Sequence, residues 1–165
     1  MAIPEVIPVS RGGGNYSSCM GDYDLQCGDE ANQFWGRVVS CFPQPPDPQP
    51  ANWHPEKRCY AVLHRFDAWG HHLGTEHRFA GISTPRRESE VLLRADTLLD
   101  EMVGALGEVE YADIEIRRFQ VEIDHCLFGL VDVSQPEAGP AFAEQVAMEP
   151  GNLLFRPPWN GRYSS

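Results

Sequence analysis

The chain has 165 residues, a length at which a single domain buries a hydrophobic core without disulfide or metal support. It carries 13 Lys and Arg against 24 Asp and Glu, a net charge of −11, and Lys57 is its only lysine. We therefore expect no nucleic-acid partner and no membrane partner, because both present phosphate charges that acidic side chains repel. The acidity is compatible instead with a basic protein partner or with a surface that only keeps the protein soluble, and acidity by itself favours the second interpretation.

The first third of the chain predicts one strand between less regular segments. Residues 1–30 predict an extended arm or an edge strand, since apolar residues there alternate with prolines. The glycine-rich turn at residues 12–15 lacks the later glycine of a dinucleotide fingerprint and the Lys-Ser/Thr pair of a P-loop. Residues 33–42 are rich in aromatic and β-branched side chains and predict a strand, which a proline-rich surface loop follows at residues 43–56.

A β-hairpin is the clearest local prediction. Residues 58–66 and 71–79 are strand-like and flank the turn Asp67-Ala68-Trp69-Gly70. Pairing Phe66 with His71 would place alternate side chains of both strands on one buried face. The predicted buried face consists of Tyr60, Val62, His64, Phe66, Leu73, Thr75, His77 and Phe79, and the predicted wet face of Arg65, Glu76 and Arg78.

One amphipathic helix is predicted over residues 85–106, after Thr84 as N-cap and Pro85 at the first helical position. Its apolar residues recur every three or four positions from Leu92 to Leu106. Residues 111–123 and 126–133 then predict a second hairpin. The whole chain, residues 1–165, is therefore predicted to be a single α+β domain, in which an antiparallel sheet of about five to six strands, built from hairpins, packs against one main amphipathic helix.

The cysteines predict free thiols. The chain contains five of them, Cys19, Cys27, Cys41, Cys59 and Cys126, and no two form a Cys-x-x-Cys pair. The number is odd, and no basic segment followed by an apolar run stands at the beginning of the chain. These features favour a reduced, cytoplasmic protein over a disulfide scaffold.

No residue pattern points to catalysis or to a cofactor, so we expect no catalytic residue and no cofactor. His64, His71 and His77 fall on one face in the predicted register and are weak candidates for a metal site. Histidines with a structural role are favoured over that site, because the same face carries the predicted core. Three tryptophans on loops or turns, Trp53, Trp69 and Trp159, are the candidate partner-binding residues.

Several segments resemble a family of small bacterial proteins. They are residues 57–81, with Lys57-Arg58-Cys59-Tyr60 and Thr75-Glu76-His77-Arg78, then Gln33-Phe34-Trp35-Gly36, residues 113–130, and Pro157-Pro158-Trp159-Asn160-Gly161-Arg162-Tyr163. Together they resemble proteins labelled formate hydrogenlyase regulatory protein, over most of the chain from residue 33 onward. The resemblance implies a non-catalytic regulator that binds another protein, and it brings no catalytic residues to this sequence.

Three functions are compatible with these features. The favoured one is a non-catalytic acidic binding protein, either regulatory or immunity-type, that contacts a basic partner. The second is a histidine-based metal-binding protein or enzyme. The third is a structural or assembly component whose proline loop and termini make the contacts. The choice between regulator and immunity protein stays open here, and so does the oligomeric state.

Overall fold

A computed structural model describes residues 2–10, 16–20, 33–107, 109–111, 113–151 and 153–164. The glycine-rich turn predicted at residues 12–15 and Cys27 lie outside this part of the chain. The strands are β1 Val6–Val9, β2 Tyr16–Met20, β3 Gln33–Cys41, β4 Arg58–Phe66, β5 His72–Ile82, β6 Glu110–Tyr111, β7 Ile114–Arg117, β8 Phe119–Ile123, β9 Cys126–Asp132, β10 Val146–Glu149, β11 Leu153–Phe155 and β12 Tyr163–Ser164. The helix α1 spans Glu88–Gly104, and two single 3-10 turns lie at Pro136–Ala138 and Pro140–Phe142.

These strands form three antiparallel sheets in the described part of the chain. Sheet I has the order β5-β4-β3-β2-β6, sheet II has the order β12-β11-β10-β9-β8, and β1 pairs with β7 alone. The α+β class, the antiparallel hairpins and the one main helix are therefore confirmed. The strands divide between sheets that pack on each other, because the second hairpin extends a sheet of its own instead of joining the first.

Sheet I is the middle layer, and its two faces are buried against different partners. Phe34 and Val38 of β3 pack with α1, whereas Trp35 of the same strand meets Phe155 of sheet II, with ring centroids 6.4 Å apart. The alternation of side chains along a strand produces these two faces. Gly36 allows α1 its close approach, since a Cβ there would lie 3.0 Å from a methyl carbon of Leu99.

The helix begins later than predicted. The backbone N–H of Arg87 donates to the carbonyl of Thr84, so residues 85–87 form a tight turn, and the helix starts at Glu88 without a side-chain cap. Its buried residues are Val91, Ala95, Leu99 and Met102. The proline-rich segment at residues 43–56 has no strand or helix, and most of its residues are exposed.

The predicted register of the first hairpin is wrong, although most of its face assignments hold. Phe66 pairs with His72, and His64 pairs with Thr75, two positions further along β5 than predicted. A shift of two residues keeps every side chain on its face. Leu73 leaves its face, because it occupies an irregularity between the pairs formed by Arg65 and Phe66, and it is exposed, as are His77 and Phe79. The prediction of a wet opposite face is wrong for β4, because α1 covers its side chains there, which are Cys59, Ala61 and Leu63.

The prediction of free thiols is wrong for two cysteines. Cys41 at the end of β3 and Cys126 at the start of β9 form a disulfide, with Cα atoms 6.5 Å apart. It joins sheet I to sheet II across 85 residues of sequence, a distance at which spacing indicates no pairing. Cys59 is free and buried among the residues that face α1, and burial raises the pKa of its thiol. Among the described residues, no helix has the length and apolarity needed to cross a membrane.

Candidate functional site

The three candidate tryptophans differ in how much surface they present. Trp69 is 67% exposed, on the turn between β4 and β5. Trp53 is half-buried in the proline-rich loop. Trp159 is also half-buried and packs against the core between the sheets. Trp69 is therefore the candidate whose indole ring is most available for contact with a partner.

Residues 67–71, here called the Trp69 turn, are held by the carboxylate of Asp67. The backbone N–H groups of Trp69 and His71 both donate to Oδ1 of Asp67, at 2.9 Å. Oδ2 lies 3.0 Å from Nδ1 of His71, and the N–H of Gly70 donates to the Asp67 carbonyl. Burial raises the pKa of the Asp67 carboxyl, but the hydrogen bonds from His71 and Trp69 outweigh burial, so this pKa lies below its ordinary value.

The Trp69 turn is docked on β7 through a glycine. Gly70 has φ +87°, and a Cβ at this position would lie 2.8 Å from the carbonyl oxygen of Glu115 and 2.9 Å from Cα of Ile116. The carbonyl of Gly70 accepts the backbone N–H of Arg117 at 2.9 Å, and Nε of Arg117 donates to the carbonyl of Trp69 at 3.0 Å. Only glycine satisfies both this conformation and this contact.

Gln33 ties the same turn to the middle of the molecule. Its side chain is buried, and its Nε2 donates to the carbonyls of Asp67 and Glu115, both at 2.9 Å. Its Oε1 accepts the backbone N–H of Glu115 at 2.9 Å. One side chain of β3 thus links the turn to β7, and the backbone that carries Trp69 is fixed before any partner arrives.

Carboxylates lie beside this turn. Glu5 is largely exposed, and its Oε1 lies 2.7 Å from Nη1 of Arg117. Asp113 and Glu115 are exposed on the segment against which the turn docks. Arg117 also lines an open cleft of about 450 Å³, whose wall includes Arg118 and Asp132 at 3.8 Å from each other. An exposed indole beside carboxylates can bind a cationic side chain by a cation–π contact and an ion pair.

The histidines are placed differently from the prediction. His64 is fully buried, and its Nδ1 lies 2.7 Å from Oγ1 of Thr75, while Nε2 of His72 lies 2.8 Å from the same oxygen. One hydroxyl proton allows Thr75 to donate to one ring and to accept from the other. The His72 ring also stacks on Phe119, with centroids 4.4 Å apart. Burial lowers the pKa of both rings, and it lowers that of His64 strongly. The nearby charges of His72 and Arg37 lower the pKa of His64 further.

His64, His71 and His77 are not brought together. His71 lies in the exposed Trp69 turn against Asp67, and His77 is exposed on β5. Within the described ranges, no three His, Cys, Asp or Glu side chains are grouped as metal ligands. His72 takes the place beside His64 because of the irregularity at Leu73, which no local sequence pattern indicates.

The residues that hold Trp69 were not identified from sequence. Gln33 and Arg117 lie 34 and 48 residues away from their bonding partners on the turn. A polar residue at the start of a mostly apolar strand was the one available signal for Gln33.

Comparison with protein-family models, curated proteins and solved structures finds no match to this chain.

Proposed function

We propose that this protein is a non-catalytic acidic binding protein that acts by contact with a basic protein partner, and that the Trp69 turn is part of the contact surface. One observation carries the proposal: an indole ring that is 67% exposed stands on a backbone fixed by Asp67, Gln33 and Arg117. Exposing a large aromatic side chain to water is unfavourable, and fixing the backbone that carries it lowers the entropy cost of binding.

The charge distribution supports a basic partner. A net charge of −11 attracts cationic proteins over distances of about one Debye length, roughly 8 Å at physiological salt. Close to Trp69, the exposed side chains of Glu5 and Glu115 can pair with Arg or Lys that stack on the indole. Tryptophan, tyrosine and arginine are the residue types most enriched at the positions that dominate binding energy.

Two roles fit this chemistry. A regulator would use the surface to hold a cellular protein, and an immunity-type protein would use it to cover the basic site of a toxin or nuclease. The resemblance to the formate hydrogenlyase regulatory family supports the first role, and the strong acidity supports either.

The proposal includes the cytoplasmic location predicted from the cysteine count. Disulfides are rare in that compartment. Cys41 and Cys126 are both buried, which limits the access of soluble reductants to this bond. Thiol alkylation in intact cells, followed by mass spectrometry of the two cysteines, tests the location together with the bond.

A pull-down from native cell lysate tests the function. The tagged protein is incubated at about 50 mM and about 500 mM salt, which shortens the Debye length roughly threefold. We expect capture of a protein with an excess of Lys and Arg at low salt and its loss at high salt. The proposal would be contradicted by capture of the same amount of partner at both salt concentrations. A stoichiometric metal in the same purified sample, without any partner, would also contradict it.

A further inference from the structure

The outer edge of β5 has no strand beside it in the described part of the chain. β5 spans His72–Ile82, is the longest strand described, and stands at one end of sheet I. Irregularities at its two ends bracket a regular stretch, residues 74–79, that pairs in continuous register with β4. An edge with a regular stretch of this kind offers backbone N–H and C=O groups to another strand.

This edge is also less acidic than the rest of the protein. Residues 57–87 contain six Lys and Arg against two Asp and Glu, whereas the chain as a whole carries an excess of 11 acids. Within β5 itself the only such residues are Glu76 and Arg78. A second copy that approaches along β5 therefore meets balanced charges on this strand, with Glu101 of α1 paired to Arg78.

We propose that β5 pairs with β5 of a second copy, antiparallel and with His77 opposite His77 of that copy. Along two antiparallel strands, opposed residue pairs alternate between two hydrogen-bond geometries. A two-fold axis must therefore pass through the middle of one such pair, and that pair consists of a residue and the same residue of the other copy. An axis on His77 sets Glu76 opposite Arg78 of the other copy, twice. An axis on Arg78 would instead oppose two like charges.

Both faces of the paired edge are self-complementary in this register. Arg78 forms two ion pairs within one copy, at 3.5 Å with Glu76 and at 3.1 Å with Glu101 of α1. The side chains of Glu76 and Arg78 are 47% and 41% exposed, so the pair between them can be exchanged for pairs with the other copy. On the other face, Thr75 lies opposite Phe79 of the second copy, and Phe79 is 41% exposed in one copy. The ring of His77 would then meet the same ring of the other copy, and the ring of Phe79 would meet Thr75 of that copy.

Charge exchange tests the register. Light scattering coupled to size exclusion is run from about 5 to about 500 µM protein, a range over which a micromolar dimer dissociates. We expect a concentration-dependent dimer for the wild type. Glu76→Arg or Arg78→Glu alone should weaken it by about tenfold or more, and the double exchange should restore it. A wild type that stays monomeric, or a double exchange that restores nothing, overturns the proposal.

A cysteine variant provides a second, independent readout. His77→Cys places two thiols opposite each other across the axis, so mild oxidation should give a covalent dimer that reducing agent reverses. Thr97→Cys is the matched control, since Thr97 is exposed like His77 but lies on α1. Cross-linking of His77→Cys alone supports the register. Equal cross-linking of both variants, or none with His77→Cys, contradicts it.

Discussion

The Nε of Arg117 donates a hydrogen bond to the backbone carbonyl of Trp69 at 3.0 Å, across 48 residues of sequence. The same guanidinium carries the ion pair to Glu5, so a single side chain connects the exposed tryptophan to an acidic residue that directly precedes β1. The backbone of Trp69 is therefore positioned by β7, while its indole ring stays in solvent. This separation between a fixed backbone and an exposed ring underlies the proposed contact surface.

Replacing Gly70 should destabilise the fold. Gly70→Ala adds a Cβ 2.8 Å from the Glu115 carbonyl at φ +87°, and we expect a loss of about 1 to 3 kcal/mol in the free energy of unfolding. Gly104→Ala is the control, because no atom lies within 4 Å of a Cβ at that position at the end of α1. It should be neutral or slightly stabilising. Equal effects of the two substitutions in thermal denaturation would refute the docking of the turn.

The disulfide should contribute measurably to stability. The bond between Cys41 and Cys126 closes a segment of 85 residues, and its loss should lower the free energy of unfolding by about 2 to 5 kcal/mol. Urea denaturation of the double variant Cys41→Ala, Cys126→Ala, with and without reductant, measures this loss. Reductant should destabilise the wild type and leave the double variant unchanged. If reductant has the same effect on both, the stabilisation does not come from this bond.

Acid should destabilise the protein through the buried histidines. The pKa of His64 and that of His72 are lowered in the folded state, chiefly by burial. Below about pH 6.5, the ordinary pKa of histidine, the unfolded chain therefore binds more protons than the folded protein does. Their contribution is complete above that pH and is lost as pH falls towards the folded values, by up to about 1.4 kcal/mol per pH unit for each proton. Unfolding curves should therefore change little between about pH 7.5 and 6.5 and shift to lower stability between about pH 6.5 and 5.

Substitution of His64 isolates this effect. His64→Gln should be less stable at neutral pH, because it disturbs the bond to Thr75, yet show a shallower dependence on pH than the wild type. His54→Gln is the matched control, since His54 is exposed in the proline-rich loop, and it should keep the wild-type slope. This loss of stability begins at a higher pH than the titration of Asp67 and Asp132, because the pKa of each of these carboxyls is lowered. An unchanged slope in His64→Gln would rule out the histidine as its source.

Local sequence patterns predicted the strands and the helix better than they predicted which residues lie next to each other in space. The alternation around Tyr60 and Val62 identified one buried face of β4, the one that packs on sheet II, because a period of two residues survives a register shift of two. The position of Leu73 depends on an irregularity in the pairing, and that irregularity decides which histidine lies beside His64. Such a detail arises from packing between strands, so the sequence of one strand does not contain it.

The candidate site was predictable in its exposed part only. Trp69 follows from a turn between two strand-like segments, and that much is visible in the sequence. Its support comes from Gln33 and Arg117, which reach the turn from strands distant in sequence. The disulfide likewise depends on how the two sheets stack, which brings Cys41 to Cys126. Contacts of this kind require the tertiary arrangement.

The most direct test of the central claim is the affinity of the captured partner for two matched variants. Trp69→Ala removes the 67% exposed indole, and Leu93→Ala removes a side chain that is 69% exposed on α1. Both substitutions should leave the melting temperature nearly unchanged, because neither side chain is buried. We expect Trp69→Ala to weaken binding by about 30-fold or more, as for a residue that contributes at least 2 kcal/mol, and Leu93→Ala to leave it unaltered. Equal affinity of Trp69→Ala and the wild type would contradict the account.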